Sequence, residues 1–314
     1  MFEASSMNSD AIKWAKTVIH QLSQDTCIDL IEGSEDDHEV EFTSGNGCSS
    51  WIGHIGDSQD ITLGNGCHNR GTIAHEIMHM LGFYHEHTRL DRDQYITVYN
   101  ENILDGYSSE FDMRSQNNFG YSYDKHSIMQ YKNTAFGKKQ SDGTDATTME
   151  SKSDPSETLG AVSHMDANDL EKINSYYECS NAPSFVDHTI TLSTKENTWL
   201  SCCHGTDGYV YVKLVGNSGA SPWQLVTSGG QLYADENEGG DVQTHKLPFP
   251  DVGTISSVKV ALEAEGDIKT RKRRSVETKA KRLFDGWTLE NLALDGVSYG
   301  GGELDVGDEL TLTA

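Results

Sequence analysis

Apolar positions along the chain follow two different rhythms. Residues 9–25 place Ile12, Ala15, Val18, Ile19 and Leu22 at three- and four-residue spacings, which predicts an amphipathic helix opened by Ser9 or Asp10. Between Cys27 and Phe42, Ile28/Leu30 and Val40/Phe42 alternate, as two short strands would. A turn at Ser44-Gly45-Asn46-Gly47 leads to a further expected strand over Trp51–Gly56, and Asn65-Gly66 is another turn. A helix is predicted from about Asn69 to Leu81, stopped by Gly82. Residues 88–160 are polar and irregular. A last helix is predicted over His164–Tyr177, with Leu170, Ile173 and Tyr177 on its apolar face and a capping box between Ser163 and Asp166. After Ser180-Asn181-Ala182-Pro183-Ser184, the best linker candidate, the rhythm becomes period-two. Runs at Ile190/Leu192, Tyr209–Val215, Trp223/Leu225, Ile255–Leu262 and Trp287–Leu294 are separated by Gly-rich turns, a β-sandwich pattern.

The expected architecture is therefore α+β, with a small sheet, two helices and irregular connections over 1–182, followed by an all-β sandwich over 183–314. Length agrees, since 314 residues suit about two domains. With 24 Lys and Arg against 49 Asp and Glu, the net charge of −25 argues against a nucleic-acid partner. No apolar run reaches the length of a membrane span. Six cysteines, none in a CxxC, suit disulfides in an oxidising compartment. The first residues have neither the basic nor the apolar region of a secretion signal, so a truncated or processed chain is expected.

The chemistry is concentrated in His75-Glu76-Ile77-Met78-His79-Met80-Leu81-Gly82-Phe83-Tyr84-His85. Residues at i and i+4 share a helix face, with Cβ atoms about 5–6 Å apart, so His75 and His79 can meet one metal. Gly82 accepts the backbone conformation of a helix-ending turn. The chain then reverses and can bring His85 to the same ion. Three imidazoles with an open position describe a catalytic zinc site. Glu76 sits about 100° around the helix from His75, beside the open side rather than in the ligand set. A carboxylate there can act as general base toward a zinc-activated water and as general acid toward the leaving amine.

With these residues on the page, the chain resembles the astacin family of metzincin zinc endopeptidases. The family's HExxHxxGFxHExxRxDR pattern stands here as His75 to Arg92, with Phe83, Glu86, Arg89 and Asp91 in place. Ser127-Ile128-Met129-Gln130-Tyr131 resembles its Met-turn, Gln130 standing where a His is usual. The resemblance covers about residues 9–180. It implies that Met129 forms an apolar base under the imidazoles. It also implies that Tyr131 is a further zinc ligand that swings aside to hold the oxyanion. Disulfides Cys48–Cys67 and Cys27–Cys179 follow by the same analogy, as does an edge strand at Ser50, Trp51, Ile52 and Gly53 that binds extended peptide. The family's N-terminal strand residues, propeptide and signal have no counterpart in this stretch. The contact that the family's mature N-terminus makes with the Glu after the third His, here Glu86, is then not supplied.

The second half resembles, more weakly, a PLAT-type β-sandwich, through Tyr209–Gly216, Asp251–Val260 and Asp285–Glu290. Such domains bind lipid surfaces or proteins, some with calcium; a generic spacer sandwich is an equal reading. Inside an insertion at 266–284, the segment 269–282 holds basic residues from Lys269 to Arg282 against the single acid Glu277. A solvated loop is favoured there over a furin-type cleavage site at Arg271–Arg274 or an anionic-surface contact. Adjacent Cys202 and Cys203 are free or pair with another chain. The expectation is a secreted zinc endopeptidase with one catalytic Zn2+, acting on proteins or peptides. Its competitor is a binding protein whose sandwich makes the contacts and whose first domain is a scaffold.

Overall fold

The computed structural model describes residues 7–31, 33, 40–56, 58–160, 163–180, 182–194, 209–226, 242–263, 287–304 and 309–314. They form two compact units, one drawn from 1–18 and 26–180, the other from 19–25 and 181–314.

The first unit opens on the part of helix α1 (Ser9–Asp25) up to Val18, which buries Ala11, Trp14, Ala15 and Val18. Asn8, one residue before the expected caps, accepts the Asp10 N–H through Oδ1 at 2.8 Å. A three-stranded sheet follows: β1 (Val40–Thr43), β2 (Cys48–Ser50) and β3 (Gln59–Leu63), in the order β1-β3-β2. β1 runs parallel to the central β3 and β2 antiparallel to it. Helix α2 (Arg70–Met80) comes next, then β4 (Ile96–Val98) paired with β5 (Met149–Ser151), and α3 (Ala167–Tyr176).

Three expectations change here. The alternation at Ile28/Leu30 forms no strand, and Ile31 beside it is 81 % exposed. Trp51–Gly56 is not a strand either; Gly53 and Gly56 take φ of +73° and +94°, which break an extended backbone. The strand lies at β3 instead, where Gln59, Ile61 and Leu63 point inward. Finally, α3 is capped one turn later than expected. Asp166 is its N-cap, and the reciprocal bonds of the capping box run between Asp166 and Asp169.

The structure joins Cys27 to Cys179 and Cys48 to Cys67. The first bridge closes a loop of 152 residues, so it removes much chain entropy from the unfolded state. Cys27→Ser with Cys179→Ser should lower unfolding stability by about 2–5 kcal/mol, read by denaturant titration of the oxidised proteins.

Among the described residues, the second unit holds ten strands: β6 (Phe185–Thr194), β7 (Tyr209–Gly216), β8 (Gly219–Ala220), β9 (Gln224–Leu225), β10 (Val242–Pro250), β11 (Ile255–Glu263), β12 (Trp287–Leu294), β13 (Val297–Ser298), β14 (Gly302–Leu304) and β15 (Glu309–Leu312). They make two five-stranded antiparallel sheets. One runs β10-β6-β12-β13 with β14 on β12, the other β15-β11-β7-β8 with β9 on β7. Ile190, Leu192 and Phe249 from one sheet and Val212, Leu214 and Val260 from the other share one buried cluster. β10 was not legible because it contains Pro248 and Pro250; it lies at a sheet edge, where a missing N–H is tolerated. Cys202, Cys203 and the basic run 269–282 lie outside the described residues. Among the described residues, no helix is long and apolar enough to cross a membrane.

Candidate metal centre

The centre is built on α2. Asn69 caps it, its side chain accepting the Thr72 N–H at 2.9 Å. The helix is buried on most of its circumference, Arg70, Glu76 and His79 included. Its end follows the glycine logic of the sequence. The Gly82 N–H donates to the His79 carbonyl (2.8 Å) and the Phe83 N–H to the Met78 carbonyl (3.1 Å), with Gly82 at φ +103°. This is a Schellman turn, and it reverses the chain.

The reversal brings His85 back to His75 and His79. Nε2 of His85 lies 3.1 Å from Nε2 of His75 and 3.0 Å from Nε2 of His79. The other ring nitrogens are anchored: Nδ1 of His75 is 2.8 Å from the Ile128 carbonyl, and Nδ1 of His79 is 2.8 Å from the Phe83 carbonyl. A carbonyl only accepts, so in these two rings Nδ1 carries the hydrogen and Nε2 presents a bare lone pair. Burial holds all three below the ordinary histidine range, joined at His79 and His85 by the neighbouring imidazoles, with His79 at about 4. Neutral rings converging lone pairs within about 3 Å repel one another unless a cation lies between them. Zinc bound at about 2.0–2.1 Å in tetrahedral angles would set such nitrogens about 3.3 Å apart. The donor set therefore fits one zinc ion. Among the described residues, this is the group of His, Cys, Asp or Glu whose ligand atoms converge closely enough to hold a metal.

Glu76 is 4 % exposed, and its Oε2 is buried without a hydrogen-bond partner. Burial pushes this carboxyl up to about 7. Met129 is buried, and its carbonyl accepts the Glu86 N–H at 2.9 Å, joining its turn to the residue after the third His. Tyr131 packs its ring 4.3 Å from that of His85, and burial raises its phenol above the ordinary value. Gln130, where the resemblance leads one to expect His, accepts from the Tyr123 hydroxyl and donates to the Tyr131 carbonyl at 2.9 Å.

Of the expected peptide-binding edge, only Ser50 belongs to a strand, the end of edge strand β2. Trp51 and Ile52 follow as exposed residues, and Gly53 is tied to the zinc helix through its N–H to the His79 carbonyl at 2.9 Å.

Sequence reasoning missed the supports behind the site. Asp169 of α3 is fully buried and accepts from the Ser127 hydroxyl (2.6 Å) and the Ile128 N–H (2.9 Å), fixing the turn that carries Met129. Lys172, one turn on, donates to Glu86 Oε2 at 3.0 Å. Glu86 Oε1 accepts from Arg89 and from the Asp124 N–H. The one available signal was the spacing of Asp169 and Lys172 on one helix face. His87 is also buried completely, its Nε2 2.9 Å from the Glu110 carbonyl, and burial lowers it to about 3.

Convergence of three imidazoles from a helix and from the bend just past it defines a zinc metallopeptidase. The chain belongs to the astacin peptidase family, whose model matches residues 2–178. It is 34% identical over 172 residues to the low choriolytic enzyme of Oryzias latipes, covering 54% of this chain and 62% of that one. It is likewise 34% identical over 166 residues to the meprin A beta subunit of Rattus norvegicus, covering 52% of this chain and 23% of that protein. The solved structure of high choriolytic enzyme 1, a hatching-enzyme zinc protease from Oryzias latipes, superposes with a TM-score of 0.53 at 28% identity. That match covers 57% of this chain and 88% of that one. The chain thus spans less than two thirds of the curated relatives' own length.

Proposed function

We propose that the chain is a zinc-dependent endopeptidase that hydrolyses internal peptide bonds of proteins, with His75, His79 and His85 as zinc ligands. The observation that carries this reading is the convergence of three imidazole nitrogens beside a buried carboxylate oxygen that has no partner. Zinc held there supplies Lewis-acid polarisation of the scissile carbonyl and lowers the pKa of a water at the site. Glu76 Oε2 takes the proton from the attacking water and returns it to the leaving amine. The Tyr131 hydroxyl would be a further ligand to the zinc and, once moved aside, would donate toward the developing oxyanion. Met129 supports the imidazoles from below. Ser50, Trp51, Ile52 and Gly53 line the extended substrate, with backbone pairing available only at the end of β2.

We place the domain boundary at 182/183. The second domain we read as a PLAT-like β-sandwich that contacts a lipid surface or a protein. Its support is the pair of antiparallel sheets around a shared apolar cluster. Two disulfides support a secreted, extracellular protein. A scaffold without catalysis is not favoured, because the chain keeps the ligands, the carboxylate and the tyrosine together.

The test is cleavage of an internally quenched peptide library by the purified chain. Activity should vanish with 1,10-phenanthroline and return on adding about one equivalent of zinc. Cleavage that survives metal removal would refute the reading.

A further inference from the structure

We infer that His87 is a positioning residue for Tyr131: its buried imidazole is the platform on which the tyrosine ring lies as the hydroxyl moves. The inference rests on the role proposed for Tyr131.

Tyr131 is half-buried and follows a turn, so its backbone alone does not fix the direction of its hydroxyl. The ring beneath it does. His87 stacks on Tyr131 with centroids 4.1 Å apart and planes inclined by 26°. His85 meets the same ring at 51°, and Phe136 and Phe111 stand farther off, at 5.7 and 6.3 Å. Near-parallel stacking is therefore supplied by His87. Stacked rings keep their contact when one slides in its own plane, whereas an edge-on neighbour would block or release it. A tyrosine that shifts between two positions needs a support of the first kind.

The platform is itself held rigidly. His87 is fully buried, Nε2–H donates to the Glu110 carbonyl at 2.9 Å, and Phe111 packs edge-on at 5.4 Å. It also stacks on His85 at 5.3 Å and 28°, so one ring bridges the third imidazole and the tyrosine. The remaining nitrogen, Nδ1, is buried with no hydrogen-bond partner. A buried acceptor left unpaired opposes folding, and a leucine or phenylalanine would avoid that cost. What a ring adds here over a leucine is the stacking face under Tyr131, and the Nε2–H bond to the Glu110 carbonyl holds that face in place.

The test is a double-mutant cycle on the zinc-loaded full chain, reading kcat, KM and, separately, the zinc dissociation constant by competition with a chromophoric chelator. Tyr131→Phe should lower kcat by about 10²-fold. His87→Leu should lower kcat about tenfold or more, with KM and the zinc constant within twofold of the parent. His87→Phe restores a ring and should bring kcat back to within about threefold of the parent. Combined with Tyr131→Phe, His87→Leu should cost nothing further, because the platform acts only through the tyrosine. If His87→Leu does not fold, His87→Gln, which also lacks a ring, is read in the same way. An unchanged kcat in the ringless variant overturns the inference. So does a multiplicative loss in the double variant, or a loss traced to weaker zinc binding. If Tyr131→Phe itself leaves kcat unchanged, the tyrosine's role falls and the platform with it. The zinc-peptidase reading would then still stand on metal-dependent cleavage.

Discussion

Glu76→Gln should lower kcat for peptide cleavage by about 10²–10⁴-fold while the protein still binds one zinc ion with its parent affinity. The amide matches the carboxylate in shape but cannot take a proton from water. The substitution sits in a place that isolates this loss. Oε2 makes no hydrogen bond, so no structural contact is broken there. The three imidazoles are anchored through Ile128, Phe83 and the Gly82 reversal, none of which involves Glu76. A fall in kcat with little change in KM is the signature of a group used at the transition state. Steady-state kinetics on a quenched peptide, paired with metal analysis, reads both halves. Casein cleavage at the parent rate by the variant would remove Glu76 from the mechanism.

His79→Ala should weaken zinc binding by about 10²–10⁴-fold and abolish cleavage at ordinary zinc concentrations. Zinc binding at protein sites is worth about 10–16 kcal/mol, so one of three imidazoles carries several kcal/mol of it. The metal-free fold should tolerate the change. Its side-chain bond is to the Phe83 carbonyl, whereas the contacts that end the helix and tie in Gly53 use the His79 backbone, which alanine keeps. Removing a bare nitrogen 3.0 Å from that of His85 also relieves repulsion in the metal-free protein. Calorimetric zinc titration and thermal melting of the metal-free forms separate the two effects. Parent-like zinc affinity would place the metal elsewhere.

The convergence of the imidazoles was legible because a helix converts a spacing of four into proximity without help from the rest of the fold. His75, His79, the stop at Gly82 and the return of His85 are all local consequences of one short stretch. The long helix α1 and the strands β7, β11 and β12 were legible for a related reason, since each is eight or more residues long and its sequence carries recurring apolar positions. Short elements carry no such signal. β3 is outweighed in hydropathy by the more apolar Trp51–Gly56, because the positive φ of two glycines is invisible there.

By itself, the sequence determined that a helix carries two imidazoles one turn apart, where that helix ends, and which carboxylate stands between them in the chain. Tertiary structure alone decided what holds that site in shape. Asp169 and Lys172 reach the metal region across long separations in the chain. His87 becomes a platform only once Tyr131 is laid over it. Such partners are chosen by burial. A charge or a ring removed from water must find its complement wherever folding brings one within reach, and no local periodicity records which one that will be.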